Sequence, residues 1–120
     1  MKKATLVIGA STNPNRYSNI AIKKLRDKGM LTLALGLRKA KVLDVTIATD
    51  KVPYKNIDTV TLYLNPKRQE EYYEYIISLN PRRVIFNPGT ENLKFVKLLQ
   101  ENNIVSEIAC TLVLLSTNQY

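Results

Sequence analysis

The chain has no histidine and a single cysteine, Cys110, among its 120 residues. Without histidine there is no imidazole to serve as a general base near neutral pH, and no histidine-rich metal cluster. One cysteine excludes an internal disulfide and fits a reducing, cytoplasmic setting. No Gly-x-Ser-x-Gly nucleophile elbow occurs. Apolar runs stay far below the roughly 18–20 residues of a membrane span, and Leu6-Val-Ile8 is too short for a signal-peptide core. Glycine and proline total nine residues, too few for a disordered chain. Acidic residues are scarce where basic ones abound. Residues 1–60 hold twelve Lys/Arg against four Asp/Glu, and residues 61–120 hold six of each, so the net charge of +8 sits in the first half. A basic field there favours an anionic ligand, although Lys23, Lys24 and Lys28 also read as a solvated helix face.

What is present fits one globular domain over residues 1–120, with 45% apolar residues. The most informative stretch is Leu6-Val-Ile-Gly-Ala-Ser-Thr-Asn-Pro-Asn-Arg-Tyr-Ser18. An apolar strand enters a turn of small polar residues, and an amphipathic helix follows. This is the layout of a phosphate-cradling βα turn, in which backbone N–H groups and a helix N-terminus face an anion.

Alternating strand and helix signals continue along the chain. Strands are expected over 4–9, 31–35, 59–64, 83–87 and 104–108, with a short extended piece around Val42, Val45 and Ile47. Ser18 can cap a helix over 19–28, with Ala21, Ile22 and Leu25 inward and Gly29 as its stop. Asn65-Pro66 opens a helix to about Leu79. A further helix over 91–102 would turn Leu93, Val96 and Leu99 inward, and the apolar segment from Cys110 to Leu115 forms a last turn. Val52-Pro53-Tyr54 argues against a helical second crossover. The expected architecture is a doubly wound α/β domain: a five-stranded parallel sheet of order 3-2-1-4-5 with helices on both faces. Ligands in such sheets bind past the carboxyl ends of the strands at the switch point, here between strands 1 and 4. Gly9–Ser18, Gly36–Lys39 and Asn87–Asn92 would converge there, with Leu64–Pro66 beside them.

The first turn lacks the Gly-x-Gly-x-x-Gly dinucleotide pattern. Gly9 makes the bend, and Ala10, Ser11, Thr12 and Asn13 follow it. Their hydroxyl, amide and N–H groups can donate to phosphate, and Arg16 adds a bidentate charge. After the second strand an NAD site carries an acid for the ribose diol. This chain has Gly36-Leu37-Arg38-Lys39, which disfavours NAD and suits a ribose phosphate, as in NADP or coenzyme A. Thr90 serves equally as a helix cap or a ligand contact, and Gly89 serves backbone geometry. Cys110 reads as a buried structural thiol. Tyr72, Tyr73 and Tyr75 read as helix packing, and their clustering away from the basic half gives no support to nucleic-acid binding.

These residues resemble the small stand-alone CoA-binding proteins related to the N-terminal domain of the succinyl-CoA synthetase α subunit. The resemblance spans nearly the whole chain: Val-Ile-Gly-Ala-Ser-Thr-Asn-Pro-Asn-Arg-Tyr-Ser, Val-Thr-Leu-Tyr-Leu-Asn-Pro, Ile-Phe-Asn-Pro-Gly-Thr-Glu-Asn and Glu-Ile-Ala-Cys-Thr-Leu-Val. It implies a Rossmann-like domain holding coenzyme A or an acyl-CoA. Ser11, Thr12, Asn13 and Arg16, with Gly9, Ala10, Tyr17 and Ser18, would surround the pyrophosphate. Gly36, Arg38 and Lys39 would meet the phosphates or the 3′-phosphate. Leu64, Asn65 and Pro66 would border the adenine, and Pro88, Gly89 and Thr90 would close the far wall. Many relatives carry Asn-Pro where this chain has Gly36-Leu37. The synthetase's phosphorylated histidine has no counterpart, so binding without turnover is expected. An NADP-dependent oxidoreductase is the alternative. A small nucleotide ligand is the expected partner, with neither nucleic acid nor membrane.

Overall fold

The computed structural model describes residues 3–120. Seven strands form one sheet: β1 (Ala4–Ala10), β2 (Thr32–Gly36), β3 (Ala40–Val42), β4 (Val45–Ala48), β5 (Ile57–Leu62), β6 (Arg83–Phe86) and β7 (Val105–Ile108). Their order is β3-β4-β2-β1-β5-β6-β7. All neighbouring strands are parallel except the β3–β4 hairpin. The helices are α1 (Tyr17–Asp27), α2 (Pro66–Gln69), α3 (Tyr73–Leu79), α4 (Leu93–Glu101) and α5 (Thr111–Ser116).

The sequence-based expectation of five strands is corrected here. The piece around Val42, Val45 and Ile47 is a hairpin, and β4 takes the third parallel place beside β2. The strand expected over 59–64 therefore does not lie outside β2. It begins at Ile57, ends at Leu62 and pairs directly with β1, matching Leu6 to Val60. Short, half-buried strands such as Val45–Ala48 give a weak alternation signal, enough for a short extended piece but not for a place in the sheet. The switch point accordingly lies between β1 and β5 rather than beside β6.

Alternation across the strands divides the core in two. Leu6, Ile8, Val60, Leu62, Val84 and Phe86 pack with Ile76 of α3 and with Phe95 and Leu99 of α4. Phe95 stacks on Tyr73 at 4.3 Å and meets Phe86 edge-on. On the other face Val7, Ala34 and Ile47 pack with Ile22 and Leu25 of α1 and Leu115 of α5. The helices after β1 and β5 thus leave on opposite faces, which opens the crevice between those strands.

Local details differ from the sequence reading in four places. Arg16, not Ser18, stands at the N-cap of α1, and Ser18 is buried in its first turn. The helix from Pro66 breaks into α2, a 3₁₀ turn over Glu70–Tyr72, and α3. Asn92 caps α4 by accepting from the Phe95 N–H, so Thr90 is not the cap. Phe95 occupies the inner face of α4 while Leu93 is 75% exposed.

Candidate functional site

Past the carboxyl ends of β1, β2 and β5 lies a cavity of about 560 Å³, inside the roughly 300–1,000 Å³ range of ligand pockets. Two glycines shape it. Gly9 has a φ of +94°, and a Cβ there would come within 3.0 Å of the Tyr63 carbonyl. At Gly36 a Cβ would meet the Ala10 carbonyl oxygen at 2.5 Å, so only glycine lets β2 approach the first turn.

The first turn is internally braced. Asn13 N–H donates to Ser11 Oγ, and Asn15 N–H donates to Asn13 Oδ1. Asn19, buried in α1, donates from Nδ2 to the Ser11 carbonyl at 2.9 Å. No side chain caps the N-terminus of α1, and no acidic residue stands in its first turn. Arg16, Tyr17 and Ser18 bound the cavity there.

A second brace joins the opposite walls. Gln69 is fully buried, and its Nε2 donates to the carbonyls of Leu64 and Thr90, both at 2.8 Å. Its Oε1 accepts from Asn92 Nδ2, which also donates to Tyr73 Oη. Asn87 at the end of β6 donates to Thr61 Oγ1 and the Leu62 carbonyl and accepts from the Thr111 N–H. Thr90 Oγ1 donates back to the Asn87 carbonyl. The loops after β5 and β6 are therefore tied to one another by buried amides, which fixes the wall they form.

The electrostatics of the wall are one-sided. Arg16, Arg38 and Arg68 line the cavity, and no aspartate or glutamate does. None of the three makes an ion pair with a described carboxylate. Tyr63 and Tyr72 supply two phenols. Burial pushes the Tyr63 hydroxyl up to about 12, against the lowering effect of the neighbouring Thr111 and Thr61 hydroxyls. Burial and then Glu71 raise Tyr72, against the lowering effect of Arg68.

Of the residues singled out from sequence, Gly9, Ala10, Ser11, Thr12 and Asn13 meet at this cavity with the α1 trio. Gly36, Arg38, Leu64, Asn65, Pro88, Gly89 and Thr90 join them there. Lys39 and Pro66 do not line it, and both are exposed. Leu37, Ala40, Ile47, Tyr63, Arg68 and Tyr72 line it as well and had not been singled out. Ile47 and Ala40 depend on the unforeseen hairpin. Arg68 and Tyr72 depend on the broken helix, although their i, i+4 spacing was available as a signal. Cys110 precedes α5 and lies outside the cavity lining. Among the described residues no group of carboxylates or thiols is arranged to hold a metal, and no helix is long and apolar enough to cross a membrane.

Comparison with solved structures gives the crystal structure of an uncharacterized protein, 44% identical, with a TM-score of 0.96 over 100% of this chain and 99% of the other. A hypothetical protein from Pyrococcus horikoshii OT3 is 28% identical, with a TM-score of 0.81 over 93% and 80% of the two chains. A Thermus thermophilus protein is 19% identical and shares the fold, with a TM-score of 0.86 over 99% and 91%. No curated protein matches. The family described as the CoA binding domain matches residues 3–116. With a doubly wound sheet, a crevice at its switch point and a match over almost its full length, the chain belongs to the CoA binding domain family.

Proposed function

We propose that the cavity holds coenzyme A or an acyl-CoA and does not turn it over. The observation that carries this reading is a wall with three unpaired arginines and no carboxylate. Such a wall repels cations and attracts a ligand bearing several phosphates, and each charge-assisted contact it makes is stronger than a neutral one. The residues fit the group on steric grounds too: Gly9 and Gly36 let the turns after β1, β2 and β5 close tightly around the cavity, and the uncapped α1 terminus offers N–H donors to a pyrophosphate.

On this reading Ser11, Thr12, Asn13 and Arg16 hold the pyrophosphate. Arg38, with Lys39 near by in the same exposed turn, faces the phosphorylated ribose. Leu64 and Asn65 border the adenine, and Pro88, Gly89 and Thr90 close the pantetheine side. Coenzyme A brings a thiol that carries acyl groups; this chain binds, orients and shields it.

The test is thermal stabilisation by CoA, acetyl-CoA, NAD, NADP, ATP and single-stranded RNA, each at the same concentration. A ligand that binds only the native state raises its stability by mass action, about 2.7 kcal/mol at a hundredfold excess over Kd. CoA or acetyl-CoA should give the largest shift. A larger shift with NADP than with CoA would instead support an oxidoreductase that recognises a ribose phosphate through Arg38.

A further inference from the structure

α5 is seated differently from the other helices. It has six residues, buries only Thr111 and Leu115, and leaves Val113 exposed. A helix that short does not hold itself in water and depends on its contacts with the rest of the fold. Those contacts are largely polar. Alternation along β1, β5 and β6 brings Thr5, Thr61 and Arg83 to the face that α5 covers, and all three are buried. Thr111 Oγ1 and Thr61 Oγ1 share a hydrogen bond of 2.8 Å. Beyond the helix, Tyr120 bonds Thr5 through its hydroxyl and lays its ring 4.5 Å from the Arg83 guanidinium carbon. An element held by a few hydrogen bonds and little apolar area opens at lower cost than the aliphatic core beneath it.

Asn87 is the point at which this seat meets the cavity. It directly follows β6 and is buried, with both ends of its amide engaged. Its Oδ1 accepts from the Thr111 N–H at 2.9 Å, and its Nδ2 donates to Thr61 Oγ1 at 2.7 Å and to the Leu62 carbonyl at 2.9 Å. Its own carbonyl accepts from both the N–H and the Oγ1 of Thr90. Thr90 lines the cavity, as do Tyr63 and Leu64 just after the Leu62 carbonyl, whereas Asn87 does not. One buried amide therefore joins the first residue of α5 to the loops after β5 and β6. Lifting α5 removes the Thr111 N–H and leaves Asn87 Oδ1 buried without a donor, so the amide must turn to find another. Turning it releases Thr61 and Leu62 and shifts the residue on which Thr90 rests.

We infer that Asn87 is a positioning residue that couples the docking of α5 to the shape of the cavity wall, so that residues 111–120 are held more firmly when the cavity is filled. This rests on the coenzyme A reading above. A ligand that touches Thr90 and Leu64 binds best where those residues now stand, and that arrangement is the one with α5 seated. The ligand therefore favours the seated form by the difference in its affinity for the two. The relation is reciprocal, and whatever loosens α5 weakens the ligand by the same factor.

The experiment is amide hydrogen exchange over residues 111–120, with and without saturating CoA, in the native chain and in Asn87→Ala. Calorimetric titration with CoA accompanies it for both proteins, for Leu115→Ala and for the double variant. Ligand-free melting curves verify that each variant is folded. In the native chain CoA should slow exchange of the Leu114, Thr117 and Gln119 amides, which donate to Cys110, Val113 and Leu114, by about fivefold, the lower end of ordinary coupling. In Asn87→Ala that protection should vanish. Leu115 lies in the core under α5 and outside the cavity lining. Leu115→Ala should weaken CoA about fivefold through the same coupling and have no further effect in the Asn87→Ala background. Unchanged exchange at those amides in native protein that titration shows to be saturated overturns the coupling, whichever variants fold. Losses of CoA affinity that simply multiply in the double variant overturn Asn87 as its carrier. In both cases the coenzyme A reading stands, whereas a native chain that does not bind CoA removes that reading and this one with it.

Discussion

At the amino ends of the strands, Arg82 grips Asp58 through two hydrogen bonds of 2.9 and 3.0 Å, with Lys3 at 3.9 Å from the same carboxylate. Beside it Arg83 is buried, donating to Thr59 Oγ1 and to Glu107 Oε1, with the Tyr120 ring 4.5 Å from its guanidinium carbon. At the carboxyl ends Arg16, Arg38 and Arg68 surround a cavity that contains no acid. The same side chain is neutralised by the protein at one end and left for something else at the other. Arginine content alone does not reveal this, since both ends draw on the same residue type. The difference lies in where the carboxylates are.

The sharpest way to break the contrast is to unpair the amino end. Glu107→Ala leaves Arg83 buried with one partner fewer and should cost about 1.5–3 kcal/mol in denaturant unfolding, the worth of a charged hydrogen bond, without changing CoA affinity. Replacing both, as Arg83→Met with Glu107→Leu, should recover most of that loss, because an apolar pair avoids the desolvation penalty. The converse variant is Arg16→Ala. Its CoA affinity should fall ten- to a hundredfold, about 1.5–3 kcal/mol for a charged contact, while its ligand-free stability stays level or rises. Unaltered CoA affinity in a folded Arg16→Ala protein would remove Arg16 from the site.

A smaller effect separates the two ends by pH. Hydrogen bonding from Arg82 holds the Asp58 carboxyl below its usual value, against partial burial. The contribution of a depressed carboxylate is complete above the unfolded pKa of about 3.9 and is lost as pH falls below it. Asp58→Asn should therefore flatten the acid limb of the melting temperature below about pH 4. The smallest effect is expected at Tyr63, between the core and the cavity. Its hydroxyl is buried beside the Thr61 and Thr111 hydroxyls, which bond each other, so Tyr63→Phe should change stability at pH 7 by less than about 1 kcal/mol. With the phenol raised to about 12, the folded state retains a proton that the unfolded chain loses near pH 10, and stability declines between those values. The substitution should remove that decline. A changed CoA affinity in Tyr63→Phe would enlist the hydroxyl in the site.

Much of this architecture is legible in the sequence. Gly9 followed by Ser11, Thr12, Asn13 and Arg16 announced the first turn, because strand, bend and helix are contiguous there. Arg38 and the Asn87–Thr90 turn were legible for the same reason: each directly follows a strongly apolar strand. What failed depended on pairings distant in sequence. Val45–Ala48 is too short to register as a strand, and missing it put the 59–64 strand outside β2 instead of on the far side of β1. Ile47 and Ala40 were lost from the cavity with it. Gln69 looked like an ordinary helix residue, and only its burial between the Leu64 and Thr90 carbonyls shows that it holds two loops. Phe95 displaced Leu93 from the inner face of α4 because Asn92 starts that helix later than Thr90 would have done.

The central place of β1 has a consequence for how the molecule assembles. Its partners on either side come from residues 32–36 and 57–62, and Leu6 meets Val60 across 54 positions of chain. Loop closure over about fifty residues precedes the reward of that pairing, a long-range contact of the kind that slows folding. A cut at the charge boundary near residue 60 would sever β5 itself and leave two fragments that need each other to complete one sheet.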